Sequence, residues 1–208
     1  MPVLAFLNSK GGSGKTTISV HVARELQKRK QRVLLIDSDT QGSALDWSAV
    51  TEGEYFSVVG IDRPVLENEV KKLSGDYDWI IIDGAAKAEK MIVSTIKAAD
   101  FIIMPVKPSP LDVWAISGLV DAIKARQEIT DGMPAAAFLI SQSVKGTLLE
   151  ADVLKALDDY ELQTFTTLIH NKQAYPKAMA IGKTALETDG GARFEISNLT
   201  DEIIEAFQ

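Results

Sequence analysis

A loop rich in glycine and lysine carries the most specific chemistry in the sequence. It joins an apolar run that predicts a strand to a pattern that predicts a helix from Ile18 onward. Glycine lets consecutive backbone N–H groups point inward around an anion, and the helix N-terminus adds free donors and partial positive charge. We expect Lys15 to neutralise the β and γ oxygens of a nucleotide and Thr16 to place its hydroxyl on Mg²⁺. The candidate nucleotide-binding residues of this loop are Lys10, Gly11, Gly12, Ser13, Gly14, Lys15, Thr16 and Thr17.

The loop departs from the general phosphate-binding pattern at its first position. That pattern has glycine five residues before Gly14, where this sequence has Ser9. The sequence instead fits a variant in which a second lysine, Lys10, opens the loop. A turn that merely joins strand and helix is the alternative, and the Gly-Lys-Thr at the strand-to-helix junction argues against it.

Acidic residues follow two further predicted strands. Asp37 and Asp39 come after the apolar run 32–36, and Asp83 comes after the run 79–82. Alternation along an extended chain would send Asp37 and Asp39 to the same side, where one can hold a Mg²⁺-bound water and the other can orient the attacking water. Asp83 would accept hydrogen bonds from metal-bound water. A strand that ends in aspartate is also common in ordinary turns, so the assignment of Asp83 depends on the two preceding motifs.

Short apolar runs bounded by turn residues predict the strands that position these groups. The runs cover 2–7, 32–36, 79–82, 101–105 and 135–140, and the segments 112–129 and 147–157 have the length and spacing of helices. Alternating strands and helices predict right-handed crossovers and an α/β fold, a mainly parallel sheet with helices on both faces. The length of 208 residues fits one domain over 1–208, and we make no prediction for 51–60 and 184–192.

The composition is that of an ordinary globular protein, with 46% hydrophobic and 25% charged residues. The formal net charge of -7 provides no global positive field, so any contact with DNA must come from a local patch. A chain without cysteine cannot form disulfides, thiolate zinc sites or Cys-ligated iron–sulfur clusters. The sequence has no apolar run of bilayer length and no signal-peptide pattern, which predicts a cytoplasmic protein that does not span a membrane.

In order and spacing, four motifs resemble the small ParA-type partition ATPases of the ParA and MinD group: KGGSGKTT, LLIDSDTQGS, DYDWIIIDG and PVKPSPLD. The resemblance covers most of the chain and implies the P-loop fold, ATP with Mg²⁺ as ligands, and a homodimer in the ATP state. It also implies that Lys10 reaches across the dimer interface to the other subunit's nucleotide. One departure is Thr40, which stands where the family has proline and leaves the turn less constrained.

The same resemblance suggests roles for individual residues. Catalysis would fall on Lys10 and Lys15 together with Asp39, which activates water. The metal would be held by Thr16, Asp37 and Asp83. The region of Pro108 would lie near the adenine or the dimer interface, although a proline-fixed loop in which Asp112 caps the next helix explains that region almost as well.

A local excess of basic residues lies towards the end of the sequence. The candidates for DNA contact are Lys172, Lys177, Lys183 and Arg193. Doubled in a dimer, such a patch would bind DNA through a few phosphate contacts, without sequence specificity and with strong salt dependence. Scattered lysines are equally typical of an ordinary solvated surface, and both interpretations stay open.

The leading hypothesis is a nucleotide switch for partitioning a plasmid or chromosome. The ATP dimer would bind nonspecific DNA on the nucleoid, and a ParB-like partner would stimulate hydrolysis and release. An alternative is that the same cycle positions a protein assembly. A membrane-associated positioning ATPase like MinD would need a basic amphipathic helix, whereas residues 199–208 contain acids and no lysine or arginine. An enzyme like the nitrogenase iron protein would need bridging cysteines, which the sequence lacks.

Overall fold

The structure, a computed structural model, describes residues 1–73, 75–144 and 148–207 of the chain. The strands are β1 Val3–Phe6, β2 Val33–Asp37, β3 Ser57–Gly60, β4 Trp79–Asp83, β5 Phe101–Val106, β6 Ala135–Ser143, β7 Gln163–Thr164 and β8 Ile169–His170. The helices are α1 Lys15–Lys28, α2 Ser43–Val50, α3 Leu66–Leu73, α4 Glu89–Ala98, α5 Pro110–Ala115, α6 Ser117–Glu128, α7 Leu148–Asp158, α8 Ala174–Met179, α9 Ala185–Thr188 and α10 Gly190–Ala206. Strands and helices alternate over the first three quarters of the chain, as the sequence predicts.

The described strands form one sheet with β1 near its centre. The strand order is β3-β2-β4-β1-β5-β6-β7, and β8 also pairs with β6. Every strand pair among the described residues is parallel. Asp83 on β4 is in register with Phe6 on β1 and with Asp37 on β2. This order brings the carboxyl ends of β1, β2 and β4 together, at the edge where open α/β sheets bind ligands.

Helices pack on both faces of the sheet. Successive residues of β1 point into two separate cores, with Leu4 and Phe6 in one and Val3 and Ala5 in the other. Helices α1, α2 and α8–α10 cover the first core, and α3–α7 cover the second. The fold class predicted from the sequence is therefore confirmed. Within the described part of the chain, no helix combines the length and the apolar character needed to cross a membrane.

The structure corrects the sequence prediction at one helix. The helix predicted over 112–129 is wrong as a single element, because α5 and α6 divide it at Ile116. The Ser117 hydroxyl donates a hydrogen bond to the Trp114 carbonyl oxygen at 3.1 Å, which competes with the helical hydrogen-bond ladder at that turn. The helix predicted over 147–157 corresponds to α7, and Thr147, like Gln208 of the acidic tail, lies outside the described residues.

The turn after β4 packs directly against β1. The backbone N–H of Gly84 donates to the carbonyl oxygen of Phe6 at 2.9 Å. A side-chain carbon at Gly84 would lie 2.7 Å from that oxygen and 2.5 Å from Cδ1 of Leu7. Non-bonded carbon atoms pack at about 3.5–4.0 Å, so the position requires glycine. The close approach fixes Asp83, the preceding residue, beside the loop that follows β1.

Candidate active site

The loop between β1 and α1 has the backbone shape of an anion cradle. Gly12 and Gly14 have φ of +73° and +95°, in the left-handed region that favours glycine. α1 starts directly after Gly14, so its first N–H groups, which have no partner within the helix, face the loop. The end of β6 holds the loop from behind: Ser141 Oγ donates to the Ser13 carbonyl oxygen at 2.8 Å, and Gln142 Nε2 donates to that of Gly12 at 2.8 Å.

This loop forms one wall of a cavity of 690 Å³ at the carboxyl edge of the sheet. Gly11, Gly12, Lys15 and Thr16 line the cavity from the loop, and Asp39 lines it from the turn after β2. The turn after β4 closes the other side. The structure thus brings together residues that the sequence places in three separate motifs.

Burial changes the charge balance of Asp83 and Lys15, beside the cavity. The Asp83 side chain is 1% exposed, and burial raises the pKa of its carboxyl to about 7, against the opposing effects of a hydrogen bond from Thr16 and the charge of Lys15. Burial also lowers the pKa of the Lys15 ammonium, which the nearby carboxylates of Asp83 and Asp39 counteract. The ionised forms of these groups are therefore costly until a ligand brings matching charge.

The Asp83 carboxyl and the Thr16 hydroxyl fit a divalent cation. Oδ1 of Asp83 is buried and has no hydrogen-bond partner, although buried oxygens are almost always paired. The Thr16 hydroxyl lies within hydrogen-bonding reach of the same carboxyl group. No cluster of three His, Cys, Asp or Glu side chains that could hold a metal occurs among the described residues. Mg²⁺ suits such a site, because it is commonly held by one or two protein groups together with phosphate oxygens and water.

The two acids after β2 have different surroundings. Asp37 accepts backbone hydrogen bonds from Ala44 at 2.8 Å and Leu45 at 3.2 Å through Oδ2, so its carboxylate anchors the N-terminus of α2. Asp39 lies in the cavity wall, and its two oxygens accept from the backbone of Gln41 at 3.0 Å and Ala86 at 3.4 Å. The structure therefore places Asp39 in the wall of the cavity and gives Asp37 a backbone-anchoring contact that the sequence does not reveal.

Lys10 is tied to helix α5. Its ammonium lies 2.9 Å from Oδ2 of Asp112, whose side chain is 7% exposed, while that of Lys10 is 41% exposed. Asp112 lies in the first turn of α5, whose N-cap is Ser109, so the sequence-based alternative in which Asp112 is the cap is wrong. The Ser9 hydroxyl makes a second contact between the loop and α5, to the carbonyl oxygen of Ala115 at 3.0 Å. The loop that carries Lys10 is thus fixed at two points to the segment after β5.

Pro108 lies between β5 and α5, and its neighbour makes the closer approach to the loop. The Lys107 ammonium lies 3.8 Å from the position that a side-chain carbon would take at Gly12. The sequence analysis does not identify Lys107 as a site residue. Its signal is the PVKPSPLD motif, in which the lysine directly follows the last residue of β5.

A second cavity, of 220 Å³, lies beside the first turn of α1. Gly14, Thr17 and Ile18 form one wall, and Gln142 and the segment 169–176 form others. Since the glycine-rich loop lines both cavities, an extended ligand could occupy the two together. The sequence analysis misses this cavity because its walls come from segments more than 100 residues apart.

The basic candidates for DNA contact lie between the end of β8 and the first turn of α10. Lys177, Lys183 and Arg193 are exposed, and Nε of Arg193 donates to the carbonyl oxygen of Leu186 at 2.7 Å. Lys172 differs from them, because its ammonium lies 2.6 Å from the buried carboxylate of Glu195 and the residue lines the second cavity. Its surroundings are those of a cavity wall.

Known proteins share this sequence pattern and architecture. Residues 4–185 match the model of the family described as CobQ/CobB/MinD/ParA nucleotide binding domain. The maintenance of carboxysome distribution protein A of Halothiobacillus neapolitanus is 27% identical over 208 residues, which cover 97% of this chain and 95% of that protein.

Solved structures extend the likeness in fold. A Cyanothece McdA variant in complex with ATP superposes with a TM-score of 0.82 at 17% identity, covering 99% of this chain and 96% of that one. Cobyrinic acid a,c-diamide synthase from Mycobacterium smegmatis, with bound ADP and magnesium, superposes with a TM-score of 0.76 at 21% identity, covering 100% and 95%. The same chain architecture therefore occurs in proteins that bind adenine nucleotides.

Proposed function

Because the chain belongs to the CobQ/CobB/MinD/ParA nucleotide binding family, we propose that it is a Mg²⁺-dependent ATPase of the ParA type that works as a dimerising switch. One observation carries the proposal: Lys15, Thr16 and Asp39 line one cavity, and the Thr16 hydroxyl lies within hydrogen-bonding reach of the Asp83 carboxyl, whose Oδ1 is buried and unpartnered. A site with this arrangement needs an anionic ligand and a cation together. A magnesium nucleotide supplies both.

Each residue of the cavity has a definable task in ATP hydrolysis. The backbone N–H groups of the loop and the Lys15 ammonium bind the phosphate oxygens. The Thr16 hydroxyl and the Asp83 carboxylate are the groups that would hold Mg²⁺, which when bound supplies positive charge to the phosphates. Asp39, whose carboxylate is fixed by two backbone N–H groups, orients the attacking water and accepts a hydrogen bond from it. Lys10 acts at the other subunit's nucleotide once it leaves Asp112.

The second cavity is the proposed place of the base. It adjoins the same loop and the first turn of α1, so a triphosphate on the loop directs the rest of the nucleotide towards it. Base pockets combine a mainly apolar wall with a few polar groups. Ile18 and Pro176 supply apolar surface here, and Gln142 and Asn171 supply hydrogen-bonding side chains.

The switch would act on nonspecific DNA, with plasmid or chromosome partition as its purpose. The chain as a whole is acidic, with a net charge of -7, so the binding depends on the exposed Lys177, Lys183 and Arg193 and on their duplication in an ATP dimer. A ParB-like partner would stimulate hydrolysis and thereby release. A protein assembly is the second candidate cargo. It is favoured by the similarity to the carboxysome distribution protein, whose alignment covers 97% of this chain.

Binding to nonspecific duplex DNA tests the switch directly. Gel shift or co-sedimentation is measured with ATP, ADP or no nucleotide, at two salt concentrations, for the wild type, Lys10→Ala and the matched control Lys28→Ala, which removes an equal charge from the exposed end of α1. We expect salt-sensitive binding in ATP alone, lost in Lys10→Ala and kept in Lys28→Ala. Absence of DNA binding in every nucleotide state would overturn the proposal that the switch acts on DNA. Equal loss of binding in both variants would mean that the binding depends on net charge and not on Lys10.

Hydrolysis and cargo need separate measurements. Asp39→Ala should keep ATP binding and lose phosphate release, which would hold the protein on DNA in ATP. Loss of ATP binding in that variant would contradict the role given to Asp39. In cells, deletion of the gene separates the cargo classes: plasmid or chromosome loss supports partition, and a misplaced protein assembly with normal DNA inheritance supports the second candidate.

A further inference from the structure

A single buried carboxylate on α10 organises one wall of the second cavity. Glu195 is 8% exposed, and its Oε1 lies 2.6 Å from the Lys172 ammonium and 2.9 Å from Nδ1 of His170. Its Oε2 accepts a hydrogen bond from the Tyr175 hydroxyl at 2.9 Å and one from the His170 backbone N–H at 3.3 Å. The three partner residues all line the cavity. Glu195 itself lies behind them.

The surroundings of this cluster leave it little freedom. A side-chain carbon at Gly191 would lie 2.8 Å from the Lys172 ammonium, so α10 makes room for the lysine with a glycine at that position. The Tyr175 ring packs edge-on against His21 of α1, with 5.0 Å between the ring centres. The segment 169–176 is thus fixed between α10 and the helix that follows the phosphate-binding loop.

We propose that Glu195 is a positioning residue for the nucleotide base: it holds Lys172, His170 and Tyr175 in place, so that the second cavity is formed before the nucleotide arrives. The inference rests on the proposed function, since it takes the base to be the occupant of this cavity. Charge-assisted hydrogen bonds are the strong ones, and a preformed wall spares the nucleotide the cost of ordering it. Lys172 accordingly forms part of the cavity wall and makes no direct contact with DNA.

The test separates the base from the phosphates. Calorimetric titration in Mg²⁺ compares ATP with inorganic tripolyphosphate, which lacks a base, for the wild type and Glu195→Gln. The glutamine keeps the shape but removes the charge, leaving Lys172 and a new amide donor facing each other. We expect the affinity for ATP to fall about tenfold, which corresponds to the loss of about one charged hydrogen bond, and the affinity for tripolyphosphate to stay within about twofold.

The matched control is Glu202→Gln on the same helix. Glu202 also fixes a loop, by accepting hydrogen bonds from the backbone N–H groups of Thr166 and Thr167 at 2.8 Å each, but that loop does not line the second cavity. We expect both affinities to be unchanged in this variant. A loss of ATP affinity equal to that of Glu195→Gln would mean that a general loosening of α10 is measured, and would overturn the proposal.

Further outcomes separate this inference from the function on which it rests. If Glu195→Gln lowers both affinities equally, or neither, Glu195 does not act through the base. If the wild type binds neither ligand, the nucleotide site itself is refuted. Should Glu195→Gln not fold, Tyr175→Phe removes one hydrogen bond while keeping the ring. We expect it to lower ATP affinity about threefold with tripolyphosphate binding unchanged, and an unchanged ATP affinity would count against the proposal.

Discussion

Replacing Asp83 with asparagine should stabilise the nucleotide-free protein while it removes one ligand of the proposed magnesium site. Burial raises the pKa of Asp83 from 3.8 to about 7. In the unfolded chain the carboxyl titrates near its ordinary value, so between about pH 4 and pH 7 the folded state keeps a proton that the unfolded state has released. The free energy of unfolding therefore falls as pH rises through this window, and it levels off above pH 7.

The size of the effect follows from the separation of the two pKa values. Each pH unit of separation corresponds to about 1.4 kcal/mol, so above pH 7 the ionised carboxylate costs the folded state roughly 4 kcal/mol at most. Asparagine carries no such cost. We expect the gain in unfolding free energy from Asp83→Asn to be close to zero at pH 4 and to grow towards a few kcal/mol at pH 8.

Urea unfolding at pH 4, 6 and 8, in a chelator and without nucleotide, measures this difference. Asp78→Asn is the control, because the hydrogen bond from Arg32 lowers the pKa of that partly exposed carboxyl, and the loss of its charge should give no gain in unfolding free energy at pH 8. Calorimetry should then find that Asp83→Asn has lost Mg²⁺-dependent ADP binding. A stability difference between the wild type and Asp83→Asn that does not change with pH would refute the assigned cost of burial.

Three further outcomes are expected. Gly84→Ala should lower the unfolding free energy by roughly 2–4 kcal/mol, because the new carbon meets the Phe6 carbonyl oxygen at 2.7 Å, whereas Gly75→Ala, which meets nothing within 4 Å, should change it by less than about 0.5 kcal/mol. His21→Leu should lower the unfolding free energy, measured in urea, by about 1–3 kcal/mol, because the buried backbone N–H of Ala185 loses its acceptor, Nε2 of His21; an unchanged unfolding free energy would contradict that hydrogen bond. Trp114→Phe should abolish most iodide quenching of fluorescence, because this side chain is 69% exposed and the other two tryptophans are 4% and 7% exposed; unchanged quenching would place Trp114 in a protected site.

The parts of the fold that the sequence predicts are those with a local cause. Strands buried on both faces of a parallel sheet are continuous apolar runs, and β1, β2, β4, β5 and β6 all have this pattern. β3 is missed because it is an edge strand with partly exposed residues, Ser57–Gly60. The start of α9 does have a local signal in the sequence, because Thr184 and Glu187 form a capping box.

The candidate site divides in the same way. The phosphate loop and the strand-end acids are local patterns, so the sequence predicts Lys15, Thr16 and Asp39 as site residues directly. The contact of Lys10 with Asp112 joins residues about 100 positions apart, and the cluster around Glu195 depends on how α10 lies against the cavity. Neither follows from spacing, because both arise only when separate elements pack together.

The register of β2 against β4 has a consequence for how the native fraction of a preparation can be measured. Asp37 and Asp83 are register partners on neighbouring strands, so their separation is set by the spacing of the sheet, about 4.8 Å between backbones, and not by the choice of rotamer. A slip of one residue would send every side chain of a strand to the opposite face, which the two buried cores forbid. The two acids should therefore keep or lose their native positions together in any one molecule. A preparation that binds nucleotide at half of its sites would contain half its molecules in the native state, and titration of these sites would measure that fraction.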